Sequence, residues 1–115
     1  EIGKQQEALD AYDKAIQIKP DFVIAFNNKG LLQDTMGNHL EAIETYNKAL
    51  TIKPDLDIAW FNKACAEALL SNKESALSSL KKAIELNQSF KRIARTNPDF
   101  LKIKDDPDFI NVVGN

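Results

Sequence analysis

His39 and Cys65 are the side chains best suited to metal ligation or nucleophilic attack in these 115 residues, and each type occurs once. A metal centre needs several ligands converging on one point, and His39 has no second histidine or thiol to join it. Beside Gly37-Asn38, in a predicted turn, it reads as a solvated surface residue. A thiol nucleophile needs a base held against it, and no motif supplies one for Cys65, which reads as a small apolar residue of the interior. The neighbouring acids Asp105-Asp106 suit a helix cap better than a general acid and base. No glycine-rich loop follows a strand pattern, so no nucleotide cradle is implied. The sequence thus predicts no catalytic, metal or cofactor residues and no enzyme. Amides remain: Asn28 and Asn62 stand 34 residues apart, and an amide both donates and accepts, as a peptide backbone requires.

The same 34-residue offset runs through the chain. Ala8, Ala42 and Ala76 align, as do Ala15, Ala49 and Ala83. Tyr12 and Tyr46 fall on Leu80, Phe26 on Trp60, Gly3 on Gly37, and Pro20-Asp21 on Pro54-Asp55. Ala42, Tyr46 and Ala49 share one helical face. Alanines there let two helices approach closely, with a ring filling the space beside them. Gly37 suits the left-handed residue that ends a helix. Asn38 with Glu41, and Ser71-Asn72 with Glu74, read as helix-start boxes. Pro54 marks the stop after a second helix.

These positions resemble the tetratricopeptide repeat. Val23 to Leu56 carries Phe26, Gly30, Ala42, Tyr46, Ala49 and Pro54 at the family's spacing. Asp57 to Phe90 carries Trp60, Ala64, Ala76, Leu80 and Ala83, with Gln88 where proline is usual. Other departures are Lys29 and Lys63 in place of apolar residues, and Gln33 and Glu67 in place of aromatics. Lysine stems can lie along apolar surface while the charge reaches water. The resemblance implies an all-α fold, a right-handed superhelical stack of antiparallel helix pairs with a helical C-terminal cap. It divides the chain into a partial first repeat (1–22, mainly its second helix), repeats at 23–56 and 57–90, and a cap at 91–115.

In the cap, Ser89 to Thr96 reads as an amphipathic helix. Asn97-Pro98-Asp99 and Asp106-Pro107-Asp108 each place a capping residue, a proline and an acid where a helix starts, predicting short helices near 98–103 and 107–113. Phe100, Leu101, Phe109 and Ile110 are expected to turn inward, since solenoids close with caps. Similar tails close some bacterial arrays of the family. Residues 5 to 18 form a helix whose partner helix is mostly missing, so Ala8, Leu9, Tyr12, Ala15 and Ile16 cannot all be covered. That apolar edge predicts contact with a second copy.

The resemblance also implies a function, protein–protein interaction, with a peptide or protein segment held in the concave groove lined by each repeat's first helix. The implied groove positions are Ile24, Asn27, Asn28, Leu31, Asp34 and Thr35, then Ile58, Phe61, Asn62, Cys65, Ala68 and Leu69. The capping helix adds Arg92, Arg95 and Thr96. A carboxylate clamp of the kind that grips chaperone C-termini is not supported, because Ile58 and Asn62 stand where Lys and Arg belong. Asn28 and Asn62 instead suit the backbone of an extended peptide; the plain alternative makes them polar first-turn residues.

Composition agrees with a binding module. Hydrophobic residues make up 43% and charged residues 28%, with a net charge of -2 and a pI near 5.4. A nucleic-acid platform would be basic, so nucleic acid and membrane surfaces are not expected partners. No apolar run is long enough to span a bilayer and no signal peptide is evident. A lone thiol points to no oxidising compartment, so the expected location is cytoplasmic. The chain opens directly in helix-forming sequence, as a piece of a longer protein would. Self-association, or service as the targeting module of a larger enzyme, are the competing functions.

Overall fold

Helix stops in this protein are set by their turns. At the end of the first complete helix pair's leading helix, Asn38 N–H donates to Gln33 O at 2.8 Å and Gly37 N–H to Asp34 O at 3.0 Å. This double bond pattern needs a left-handed residue between helix and exit, and Gly37 supplies it with φ +88°. One repeat later Asn72 donates to Glu67 O at 3.0 Å and Ser71 to Ala68 O at 2.9 Å. There Ser71 itself adopts φ 62°.

The computed structural model describes residues 2–114, without the Ile2 side chain. The described residues form helices α1 (Ile2–Ile18), α2 (Val23–Thr35), α3 (His39–Ile52), α4 (Asp57–Leu69), α5 (Lys73–Leu86), α6 (Phe90–Thr96) and α7 (Pro107–Val113). A 3-10 segment, Pro98–Ile103, lies between the last two. The fold is all-α, built from helix pairs. The chain divides into two compact units, Glu1–Pro54 and Asp55–Asn115.

In the first unit, α2 packs on α3. Ala42, Tyr46 and Ala49 of α3 are fully buried. A Cβ on Gly30 would lie only 2.6 Å from Tyr46 Cε1, so the absence of a side chain at Gly30 makes room for the ring. Gln33 and Thr45 meet beside it through a 2.6 Å bond from the Thr45 hydroxyl to Gln33 Oε1. α1 packs on α2, and Lys29 reaches Asp13 at 2.6 Å.

The second unit repeats the scheme with other residues. Ala64 of α4 and Ala76, Leu80 and Ala83 of α5 are completely buried. A leucine here replaces the tyrosine, and an alanine replaces the glycine. Ser79 donates to Glu67 Oε1 at 2.6 Å, the counterpart of the Thr45–Gln33 bond. Lys63 lies over the Trp60 ring, 5.1 Å from its centroid.

The tail closes this unit. Asn97 accepts from Asp99 N–H at 2.8 Å and Asp106 from Asp108 N–H at 2.8 Å, so both caps and both prolines act as the sequence predicts. The first of these segments winds as a 3-10 helix, with its Phe100 buried. Phe109 and Val113 of α7 are buried as well. Leu101, expected to face inward, is exposed, and Ile110 is half-buried. Lys73 of α5 bonds Asp106 at 3.1 Å and Asp108 at 3.2 Å. This pairing raises the lysine's pKa; the Asp108 N–H, and after it the Lys73 ammonium, lower that of Asp106.

Candidate protein-binding faces

α2 presents its unpaired side in the first unit. Ile24 and Leu31, one on either side of Asn28, are 48% and 47% exposed, and Asn28 between them is half-buried. Large apolar side chains left half in water beside an amide make a face suited to a polypeptide segment, which offers both apolar side chains and backbone polar groups. Asn28, Leu31, Leu32 and Thr35 of α2 join Ala8 and Tyr12 of α1 around a cavity of about 270 Å³. Ala8 and Tyr12 were not among the expected groove residues. The signal that could have found them was already in the sequence, in the register of Tyr12 with Tyr46.

Asn27, Asp34 and Thr35 of this helix also serve the fold. Asn27 is buried. Asp34 pairs with His39 Nδ1, and Thr35 donates to Leu31 O at 2.9 Å. His39 is therefore half-buried and engaged, not the solvated residue the sequence suggests. It follows the turn directly, and the left-handed Gly37 brings it back against the last turn of α2. Asn38 makes no side-chain cap bond, in contrast to Asn72, which accepts from Ser75 N–H.

In the second unit the tail occupies much of the corresponding face. Phe61 stacks on Phe90 with centroids 4.6 Å apart and planes at 13°, and meets Phe100 edge-on at 6.0 Å. Phe61, Cys65 and Ala68 all belong to the core cluster with Phe90, Ala94 and Phe100. They are packing residues, and the expectation that they line an open groove is corrected. The reason is the tail, whose aromatic rings cover α4. Ile58 and Asn62 remain half-buried, and Leu69 and Arg92 are exposed. Arg95 is also committed: its guanidinium donates to Val113 O at 2.7 Å and Gly114 O at 3.3 Å, fastening α6 to the end of α7. Thr96 donates to Ile93 O at 3.4 Å.

A hollow of about 410 Å³ beside α5 and α7 is lined by Leu77 and Val112 together with charged and polar side chains, with Lys73 already held by two aspartates. Among the described residues no three His, Cys, Asp or Glu side chains converge as a metal would require. Among them, too, no helix is long and apolar enough to cross a membrane.

Models of the tetratricopeptide repeat match residues 23–56 and 58–90, and a TPR repeat model matches residues 1–37. The chain belongs to the tetratricopeptide repeat family. Such repeats generally serve as protein-interaction modules, which agrees with exposed apolar side chains flanking an amide on α2. Among solved structures the chain is similar to the crystal structure of MamA, with 32% identity and a TM-score of 0.72. The match covers 79% of this chain and 53% of that one, so the chain spans about half the length of that structure. No curated protein matches significantly. The family assignment also explains the shared α2–α3 and α4–α5 packing: each tetratricopeptide pair buries a small residue of its first helix against a large one of its second.

Proposed function

We propose that this chain is a non-catalytic interaction module that binds a polypeptide segment of a partner protein through the first helices of its repeats. Asn28 in the first unit and Asn62 in the second are the side chains that bond the partner's backbone. Ile24, Leu31, Ile58 and Leu69 select its apolar side chains, and Arg92 suits an acidic group. The observation that carries this reading is the α2 face, where two half-exposed apolar side chains flank Asn28 beside an open cavity. Folding leaves such side chains in water at a cost of about 25 cal/mol per Å², a cost that a bound segment removes.

The experiment is the double change Asn28→Ala and Asn62→Ala, with melting checked first. Titration calorimetry then uses a partner recovered by affinity capture. A hydrogen bond contributes about 0.5–1.5 kcal/mol net, so loss of two weakens binding roughly ten-fold or more. Unchanged affinity in a stably folded double variant moves the site away from these helices.

A further inference from the structure

The tail that closes the second unit concentrates positive charge. Residues 91–104 hold Lys91, Arg92, Arg95, Lys102 and Lys104 against a single acid, Asp99, in a chain whose net charge is -2. Three of these cations share one surface. Arg92 and Arg95 are three residues apart on α6, so they lie on the same side of that helix. Arg95 and Lys104 line one cavity of about 70 Å³, together with Thr96, Pro98 and Leu101. The result is a cationic strip from α6 to the end of the 3-10 segment.

The strip keeps its charge. Among the described residues neither Arg92 nor Lys104 is held in an ion pair. Arg95 is bound, but to uncharged acceptors: its guanidinium donates to Val113 O at 2.7 Å and Gly114 O at 3.3 Å. Those bonds fix the group without neutralising it, so a ligand has less freedom to remove on binding. The acids that follow in the sequence, Asp106 and Asp108, are turned to Lys73 of α5.

Leu101 adds an apolar element. It is 63% exposed, whereas the neighbouring Phe100 is buried. A single exposed leucine is ordinary. One that lines a cavity with two cations matches a ligand carrying both carboxylates and an apolar side chain.

We infer that this strip docks an acidic polypeptide segment of a partner protein, with carboxylates against Arg92, Arg95 and Lys104 and an apolar side chain against Leu101. The inference rests on the reading that the chain binds polypeptide segments, and it adds the charge of the segment and a second place of contact. A guanidinium takes a carboxylate through two parallel bonds, and the lysine adds a point charge. Phosphates of a lipid surface or a nucleic acid would also meet these cations. Both extend well beyond the strip and would bring negative charge against Asp99 and Asp105, where like charges repel. A narrow polypeptide need touch only the strip.

The test titrates short fluorescent peptides with blocked ends into the whole chain at low salt, read by anisotropy. The first peptide has one leucine flanked on both sides by glutamates. The second replaces the glutamates with glutamines, and the third replaces the leucine with serine. The first should bind roughly ten-fold tighter than the second, and its affinity should fall as salt rises. Arg92→Gln combined with Lys104→Gln, both at exposed positions, should remove most of that preference, with melting confirming the fold. Leu101→Ser should weaken the first peptide several-fold and leave the third unchanged. Asn28→Ala with Asn62→Ala should alter neither result, so failure of the groove amides and failure of the strip read out separately. Phosphatidylserine vesicles and a single-stranded DNA oligomer are titrated alongside. The proposal is overturned by equal binding of the first two peptides, by a preference that survives loss of Arg92 and Lys104, by indifference to Leu101→Ser, or by vesicles or DNA bound ahead of the first peptide.

Discussion

The Ser79 hydroxyl donates to Glu67 Oε1 at 2.6 Å inside the α4–α5 pair, where the preceding repeat places a neutral amide, Gln33, against Thr45. The two contacts have the same length and register but differ by a charge. Burial raises the Glu67 pKa, against the opposing influence of the Ser79 bond and the Lys63 charge. A raised folded-state value means that the folded protein binds this proton more readily than the unfolded chain. Stability from this group is therefore complete below the ordinary glutamate value of about 4.3 and declines as pH rises through the folded value.

Glu67→Gln, which copies the preceding repeat, should accordingly stabilise the protein at pH 7. The gain should shrink on acidification and vanish below about pH 4.3. Urea unfolding of parent and variant at several pH values between 4 and 7 provides the measurement. A difference independent of pH would show that Glu67 does not titrate as its burial requires. Removing the donor acts in the opposite direction. Ser79→Ala leaves a buried carboxylate without this partner, and should cost about 1–3 kcal/mol at pH 7.

Ser71 occupies the left-handed position that Gly37 fills one repeat earlier. A side chain in that conformation costs roughly 1–2 kcal/mol, whereas glycine's greater freedom in the unfolded chain costs about 0.4–1 kcal/mol. Ser71→Gly should therefore stabilise by about 0.5–1 kcal/mol. Gly37→Ala should destabilise by a similar amount, because nothing lies within 4 Å of the added Cβ and the cost is conformational alone. Thermal melts of both variants check the pair, and a Ser71→Gly protein that melts below the parent contradicts it.

Elements whose determinants are local were legible in the sequence. The starts at Asn97-Pro98 and Asp106-Pro107 each need only one side chain and the next two residues, and both caps form. The close approach at Gly30 was legible because the 34-residue register aligns it with Ala64. What escaped is non-local. Nothing around Phe61 or Cys65 announces that Phe90 and Phe100 will cover them, and nothing around Arg95 reveals its bonds to carbonyls 18 and 19 residues away. The expected groove was accordingly too wide in the second unit, where aromatic packing fills it, and in the first unit it omitted the α1 wall at Ala8 and Tyr12.

The tail is a structural part of the second unit, and its removal has a defined consequence. Phe100 is almost fully buried and contacts Phe61 and Phe109. Phe100→Ala should cost about 3–5 kcal/mol. Arg95→Ala should cost less, and should release chiefly α7, whose final carbonyls it holds. Hydrogen exchange distinguishes the two: Arg95→Ala speeds exchange in 107–114 while α4 and α5 stay protected, whereas Phe100→Ala speeds exchange throughout the second unit. Equal protection in both variants would mean that the tail does not support α4.

The pairing of Gly30 with Tyr46 yields the strictest prediction, because the protein contains its own control. Gly30→Ala improves helix propensity by about 0.8–1.0 kcal/mol. The new Cβ would meet ring atoms of a fully buried tyrosine at 2.6 and 2.8 Å, and a ring packed on every side cannot move aside without displacing its neighbours. Overpacking of this kind costs about 1–3 kcal/mol, so the net effect should be destabilising. The second repeat contains the compensating change, Ala64 with Leu80, both completely buried. In a Tyr46→Leu background the clash disappears and the propensity gain remains. Gly30→Ala should then be neutral or stabilising by up to about 1 kcal/mol. The four proteins form a thermodynamic cycle whose coupling should fall between about 0.5 and 3 kcal/mol, favouring the matched pairs. Urea denaturation of all four reads it directly. Additive effects would show that ring size at position 46 does not dictate the residue at position 30.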